Sequence, residues 1–345
     1  MQKKNLLWDL TTECNLKCLH CYNSENNHKC SSNPHEYTTE FLTEIVEKIS
    51  KLGFNHIHLL GGEPLLFKNL NSLLQIAVNY NIEVSINTNG LLLTDTMCEN
   101  LLKNHVSQIV ISLDGASAND NNFIRGDGVF EKVTENIRNL LYLKEKTFSN
   151  TIIALATVIT QTNIKNIHKI VFLASQLGVD FLDISALYHH GNASKNIKLL
   201  SITAEEYYDA IKKIVAYSQK LNQKIQIDCK SIVLQSIYED LGINVHIDSS
   251  YDSCQAGKTM LYMDSELNLF PCGPYAYKMP NGKLKTHLFS ENICQKIEQF
   301  NIVSKNQKSI RKSKICHQCK NNSICVQCPI CFSDSTNLCE YVFDT

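Results

Sequence analysis

Six short apolar runs recur over the first two thirds of the chain, and helix-spaced apolar positions fill the intervals between them. The runs are NLLWDL (5–10), HIHLLGG (56–62), IEVSINTNG (82–90), QIVISLDG (108–115), TIIALATVI (151–159) and FLDISALY (181–188). Their length and β-branched content suit buried strands of a parallel sheet. Between them, Phe41, Ile45, Val46, Ile49 and Leu52 keep helical spacing, as do Val133, Ile137, Leu140 and Leu141. A further set, Ile167, Ile170, Val171, Ala174 and Leu177, runs up to Gly178, a helix stop. A last long helix is expected from Ala204 to Leu221, entered through Thr203 as N-cap with Glu206 three residues on, a capping box.

Strand-then-helix units in succession imply right-handed crossovers and a parallel sheet, either a barrel-like arc or an open doubly wound sheet. Six units fall short of the eight that close a full barrel. Polar residues gather at the strand ends: Thr11–Cys14, Gly61–Pro64, Asn87–Gly90, Ser112–Gly115 and Tyr188–Gly191. Ligands of parallel α/β folds bind at the C-terminal strand ends, so these loops define one mouth. After residue 222 the character changes, which divides the chain into 1–222 and 223–345. IQIDC (225–229) reads as a strand and LYMDSELNLFPC (261–272) as a hairpin turning near Asp264–Asn268. Beyond Cys316 there is too little apolar material for a conventional core, and such segments fold around metal.

Composition narrows the class. The 345 residues carry 33 Lys+Arg against 34 Asp+Glu, a formal charge of −1, with no long like-charge run. That gives no electrostatic case for nucleic acid or an anionic membrane surface. The start, MQKKNLLWDL, lacks a signal-peptide core, and no stretch approaches a membrane span, so a cytoplasmic protein is expected. Cysteine is the outlier: 15 residues, three of them at 14–21 and, Cys294 set apart, eight more from Cys254 to Cys339. In a reducing compartment such clustering favours metal ligation over disulfides.

Cys14, Cys18 and Cys21 form a C-x3-C-x2-C loop after the first strand. A structural zinc site wants four ligands, and the nearest fourth, Cys30, follows after eight residues. Read alone, the loop leaves zinc open. With the segments downstream it resembles the radical SAM superfamily. GGEP (Gly61, Gly62, Glu63, Pro64) follows strand two, SLDG (112–115) closes strand four, and the run around Arg125 resembles an R-G-x-G-x-F segment. Leu187 and YHHGNAS (188–194) resemble the glycine-containing turn after strand six.

The resemblance implies a partial (βα)6 TIM-like barrel carrying a cysteine-rich iron–sulfur extension. It implies a four-iron four-sulfur cluster on the three thiolates, with one iron open to S-adenosylmethionine (SAM). His20 would lie beside the adenine, and Gly61, Gly62, Glu63 and Pro64 would receive the methionine ammonium. Ser112 and Arg125 would hold the carboxylate, Arg through its planar fork, with Asn87 a further contact and Leu187 at the adenine turn.

The second cysteine group resembles the SPASM extension, which binds auxiliary clusters. Its spacing is C316-x2-C319-x5-C325-x2-C328-x2-C331, then Cys339, preceded by Cys254 and Cys272. By resemblance Cys316, Cys319, Cys325 and Cys339 hold an outer cluster and Cys254, Cys272 and Cys328 an inner one. Cys331, Asp248 or an open iron remain alternatives for the inner cluster's fourth position. Zinc ribbons are the competing reading of these cysteines.

The implied activity is reductive cleavage of SAM to a 5′-deoxyadenosyl radical that abstracts hydrogen from a peptide or protein, leading to a cross-link, epimerisation or oxidation. The alternative is a radical SAM dehydrogenase or cofactor-biosynthesis enzyme acting on a small molecule. Gly273 stands directly after Cys272, where sulfatase maturases place an Asp base, which counts against that activity. Strand one starts near residue 5, so a leader-binding function would come from a separate partner, or recognition is direct. A flavodoxin- or ferredoxin-type donor would supply the electron. Cys229, at the end of IQIDC, is a candidate hydrogen donor to a substrate radical, against the plainer reading of a small buried apolar residue.

Overall fold

The computed structural model describes residues 3–25, 37–221, 225–229, 237–238, 240–242 and 254–305. Cys30, Asp248, Cys316, Cys319, Cys325, Cys328, Cys331 and Cys339 lie outside them.

Six strands alternate with helices: β1 Asn5–Thr11, β2 His56–Gly61, β3 Glu83–Thr88, β4 Gln108–Ser112, β5 Ile152–Ile159 and β6 Phe181–Ala186. The helices between them are α1 Thr39–Lys51, α2 Leu70–Asn79, α3 Asp95–Lys103, α4 Ala118–Arg125, α5 Val129–Lys146 and α6 Ile170–Leu177. After β6 come the short α7 Asn192–Lys195 and α8 Ile197–Leu200, then α9 Ala204–Lys220 and the strand β7 Gln226–Asp228. All seven strands pair in parallel and in sequence order. The partial-barrel architecture inferred from the sequence is the one observed.

Local chemistry explains the element ends. Thr38, Thr94 and Ser117 each accept a backbone N–H at the start of α1, α3 and α4, satisfying donors a helix leaves orphaned. At α9 the Thr203–Glu206 capping box forms as expected. Gly178 closes α6 in the left-handed region at φ 83°.

The two faces of the sheet differ. Leu6, Trp8, Ile57, Leu59, Ile86, Ile109, Ile111, Leu155 and Leu182 lie on one face and are buried against the helix layer. Each such side chain contributes roughly 1.5–3 kcal/mol by leaving water. The opposite face carries Asp9, His58, Ser85, Asn87, Ser112, Asp183 and Ser185, so the strands are not apolar on both sides. That polar face lines the arc's interior.

The segment after residue 222 joins the same sheet. β7 pairs with β6 at one edge. At the other, β8 Met260–Met263 pairs in parallel with β1 and turns through Asp264–Asn268 into the antiparallel β9 Asn268–Phe270. The two-residue β10, Thr286–His287, follows on β9. Tyr262, Phe270, Cys272 and Tyr275 form a second small apolar core, with Cys254 and Tyr277 packed against it.

Candidate active site

The cysteine loop crosses the mouth of the strands and is held by its backbone from three sides. From β2, Gly62 N–H donates to the Thr11 carbonyl (2.8 Å) and Glu63 N–H to the Glu13 carbonyl (2.7 Å). From α4, the Ile124 carbonyl accepts Leu19 N–H at 2.9 Å. From the turn after β6, Asn192 N–H donates to the Cys21 carbonyl (2.9 Å) and its side-chain amide to the Cys18 carbonyl (3.1 Å). Asn196 Nδ2 adds a bond to the Leu19 carbonyl at 3.0 Å.

Two close approaches require glycine. A Cβ on Gly62 would stand 2.0 Å from the Glu13 carbonyl oxygen. Gly191 has φ +58°, and a Cβ there would meet the carbonyls of Tyr22 and Cys21 within 2.8 Å. YHHGNAS is thus a clamp on the cysteine loop.

Behind the loop lies a cavity of about 380 Å³, lined among others by Cys14, Cys18, Cys21, His20, Gly61, Gly62, Asn87, Ser112, Arg125 and Leu187. Nearly every residue singled out for SAM is therefore at one place. Cys14, Cys18 and Cys21 are the only cysteines in its lining among the described residues. Burial pushes the Cys14 thiol up to about 11 and Cys21 up to about 12. Burial also raises Cys18, against the pull of the neighbouring Arg125. Without a metal these thiols stay neutral, and a metal would have to displace their protons. No three His, Cys, Asp or Glu among the described residues converge on a single ion; a cube of four irons takes its ligands at separate corners.

Two of the expected contacts have protein partners of their own. Glu63 is fully buried and absent from the cavity lining. Its carboxylate accepts from Thr88 Oγ1 (2.7 Å), Asn89 N–H (2.7 Å) and Leu65 N–H (3.1 Å). These three bonds tie the β2 and β3 loops together and cap the turn holding the buried Pro64, and leave the carboxylate room for about one further donor. Asn87 faces the cavity, but its Oδ1 lies 2.7 Å from His58 Nε2. Cys229 packs on the main core beyond β7 and is not in the cavity lining.

The sequence reading missed Asp114. It has no exposed surface and joins two of the predicted contacts, with Oδ2 2.7 Å from His20 Nε2 and 2.7 Å from Arg125 Nε. Oδ1 accepts Val158 N–H at 2.8 Å. Burial alone would raise this carboxyl, but Arg125 and His20 hold it well below the usual carboxylate range. In the neutral imidazole, the carboxylate at Nε2 fixes the proton there and leaves Nδ1 as an acceptor. His20 Nδ1 is buried and has no hydrogen-bond partner among the described residues, an orphan in a ligand-sized cavity that a donor group would satisfy. Asp114 sits inside the quoted SLDG, but its use depends on a contact 94 residues away in the chain. Asp183 also lines the cavity, raised to about 6 by burial and by Asp228 beside it.

Comparison with known proteins finds relatives in both sequence and fold. Residues 8–174 match the Radical SAM superfamily. The chain is similar to the mycofactocin maturase MftC of Mycolicibacterium smegmatis, 25% identical over 301 residues, covering 86% of this chain and 71% of that protein. MftC of Mycobacterium tuberculosis strain H37Rv is 30% identical over 173 residues, 50% of this chain and 42% of that protein. The AdoMet-dependent heme synthase of Methanosarcina barkeri is 24% identical over 335 residues, 94% of this chain and 90% of that protein. Among solved structures, Streptococcus suis SuiB bound to its precursor peptide SuiA aligns with a TM-score of 0.73 at 17% identity, over 99% of this chain and 76% of that one. Native anSMEcpe with bound AdoMet aligns at 0.68 and 19%, over 93% and 87%.

Proposed function

We propose that this chain, a member of the radical SAM superfamily through residues 8–174, uses SAM-derived radical chemistry to modify a peptide or protein substrate. The observation that carries the reading is the meeting of Cys14, Cys18 and Cys21 with Gly61, Gly62, Ser112 and Arg125 around one cavity.

The donor set fits the group: one buried and two half-buried thiols, room beside them, the glycine cradle and the orphaned His20 Nδ1. When bound, a four-iron cluster with SAM supplies an electron that splits the sulfonium and releases a 5′-deoxyadenosyl radical. The rest falls to the chain. Gly61 and Gly62 bring β2 backbone close to the loop, where carbonyls can accept an ammonium. Arg125, oriented by Asp114, and Ser112 offer donors to a carboxylate. His20 Nδ1 accepts a donor such as an exocyclic amine. The clamp from Gly191, Asn192 and Asn196 holds the loop to the sheet, and the surrounding wall keeps a reactive intermediate from side reactions with solutes.

The peptide reading is supported by the relatives named maturases and by the SuiB–SuiA likeness in fold. The heme synthase likeness supports the alternative, a small-molecule substrate, less well. We place auxiliary clusters on Cys254 and Cys272, half-buried and buried beside one small core, with the outlying cysteines. We infer a ferredoxin- or flavodoxin-type donor, a separate leader-binding protein or direct peptide recognition, and a cytoplasmic setting suited to reduced thiols.

Anaerobically purified protein given dithionite and SAM should release 5′-deoxyadenosine, and Cys18→Ala should abolish it. Release by the triple variant lacking Cys14, Cys18 and Cys21 would sink the proposal. Deuterium transfer from a labelled peptide into 5′-deoxyadenosine would decide between peptide and small-molecule substrates.

A further inference from the structure

Asp9 plays no part in the chemistry above, yet it is a charged group only 4% exposed in the middle of β1. Its Oδ2 takes three donors: Asn23 Nδ2 at 2.8 Å, Tyr262 OH at 2.6 Å and Tyr277 OH at 3.2 Å. Oδ1 is buried with no hydrogen-bond partner among the described residues. The donors come from distant segments. Asn23 stands two residues after Cys21 and lines the cavity. Tyr262 is on β8, and Tyr277 is on the short helix Gly273–Lys278 that begins directly after Cys272.

Aromatic contacts extend the junction. The Tyr277 ring lies 5.2 Å from that of Tyr22, next to Cys21, and 5.6 Å from that of His190, in the clamp turn. Tyr262 lies 5.5 Å from Tyr277. The same two tyrosines pack with Cys254 and Cys272 in the small core. One oxygen thus gathers the end of the cysteine loop and both elements that flank the second cysteine pair. A buried carboxyl is costly unless donors converge on it. Burial pushes Asp9 up to about 6 while the two phenols and the Asn23 amide pull the other way, and Asp264 adds like-charge repulsion.

We propose that Asp9 is a positioning residue that fixes the seat of the Cys14–Cys21 loop by locking it to the β8 and Gly273–Lys278 segment through Asn23, Tyr262 and Tyr277. Loop geometry is then set partly by residues more than 230 positions away, and the auxiliary segment and the SAM site are mechanically one unit. The inference rests on the cluster reading only for its kinetic readout.

The test is hydrogen exchange by mass spectrometry on the full chain, purified anaerobically. Tyr277→Phe removes one oxygen from the far segment and should raise deuterium uptake over residues 14–25 by about threefold or more. Asn23→Ala should do the same over 260–278, and Asp9→Asn should do both. Changes confined to the segment carrying each substitution would overturn the lock. In the active enzyme, Tyr277→Phe should raise KM for SAM about fivefold with kcat within about twofold; an unchanged KM would overturn the positioning role. A wild-type chain that binds no iron would sink the cluster reading and leave the exchange result to judge the lock.

Discussion

Asp9 and Asp114 are two fully enclosed aspartates with opposite electrostatics, and they make opposite predictions. Asp9 has its pKa raised from 3.8 to about 6. The folded state therefore holds its proton more tightly, so the group's stabilising contribution is full below the unfolded value and fades as pH climbs through 6. The shift of about two units corresponds to about 3 kcal/mol at most. Wild type minus Asp9→Asn, followed by urea denaturation from pH 4 to 7.5, should show a difference that moves against the wild type as pH rises. A flat difference would reject a raised Asp9. Asp114 is depressed, so its contribution is present above the ordinary carboxylate range and is lost as the medium becomes acidic. Asp114→Asn leaves Arg125 and His20 facing a neutral amide in a buried site. The expected cost is about 3–5 kcal/mol of stability for a broken buried pair, read by urea denaturation at pH 7.5, together with loss of measurable SAM binding.

At the level of elements, the strand and helix run from residue 5 to Leu221 was legible because periodicity is local: β1 to β6, Gly178 as a stop and the Thr203–Glu206 cap all stand where the pattern put them. The residue types of the mouth were equally legible, since strand ends converge in any parallel sheet. What could not be read was direction and partnership. GGEP signals a turn and an acceptor, but whether Glu63 faces a ligand or Thr88 and Asn89 is decided by a neighbouring strand. The glycine of YHHGNAS was visible, while its purpose, letting the turn press on the Cys21 and Tyr22 carbonyls, needs the third dimension. That purpose is testable. Gly191→Ala puts a methyl within 2.8 Å of two backbone oxygens and a strained φ on a non-glycine residue. Such strain costs on the order of 1–3 kcal/mol, and it falls on the loop alone. The variant should therefore keep its far-UV circular dichroism and most of its melting temperature. Its iron content should fall by about one cluster, roughly four atoms per chain. Full iron retention would show that the clamp does not matter for loading.

For the whole molecule, the compositional break after residue 222 suggests two separable parts, whereas the sheet runs through both. β8 is the outer neighbour of β1, with four registered residue pairs from Asn5–Met260 to Trp8–Met263. β1 carries Trp8 and Leu10, both fully buried, and leads directly into the cysteine loop. A chain cut at 222 would expose the β1 edge, a template for intermolecular pairing. It would also strip the Tyr262 and Tyr277 donors from Asp9, leaving a buried carboxylate with only Asn23. The barrel segment is therefore expected not to stand alone: expressed as 1–222 it should elute as aggregate or fail to accumulate, while the full chain elutes as a defined species. Size-exclusion chromatography under anaerobic conditions checks this directly. A soluble, monodisperse 1–222 fragment that loads one cluster and cleaves SAM would mean that the tie between the parts is a contact and not a dependence. Iron analysis on the full chain completes the test at this scale. Three clusters predict about 12 atoms per chain, and a value near four would leave Cys254 and Cys272 as apolar packing beside the tyrosines, with the extension serving the fold rather than the electron.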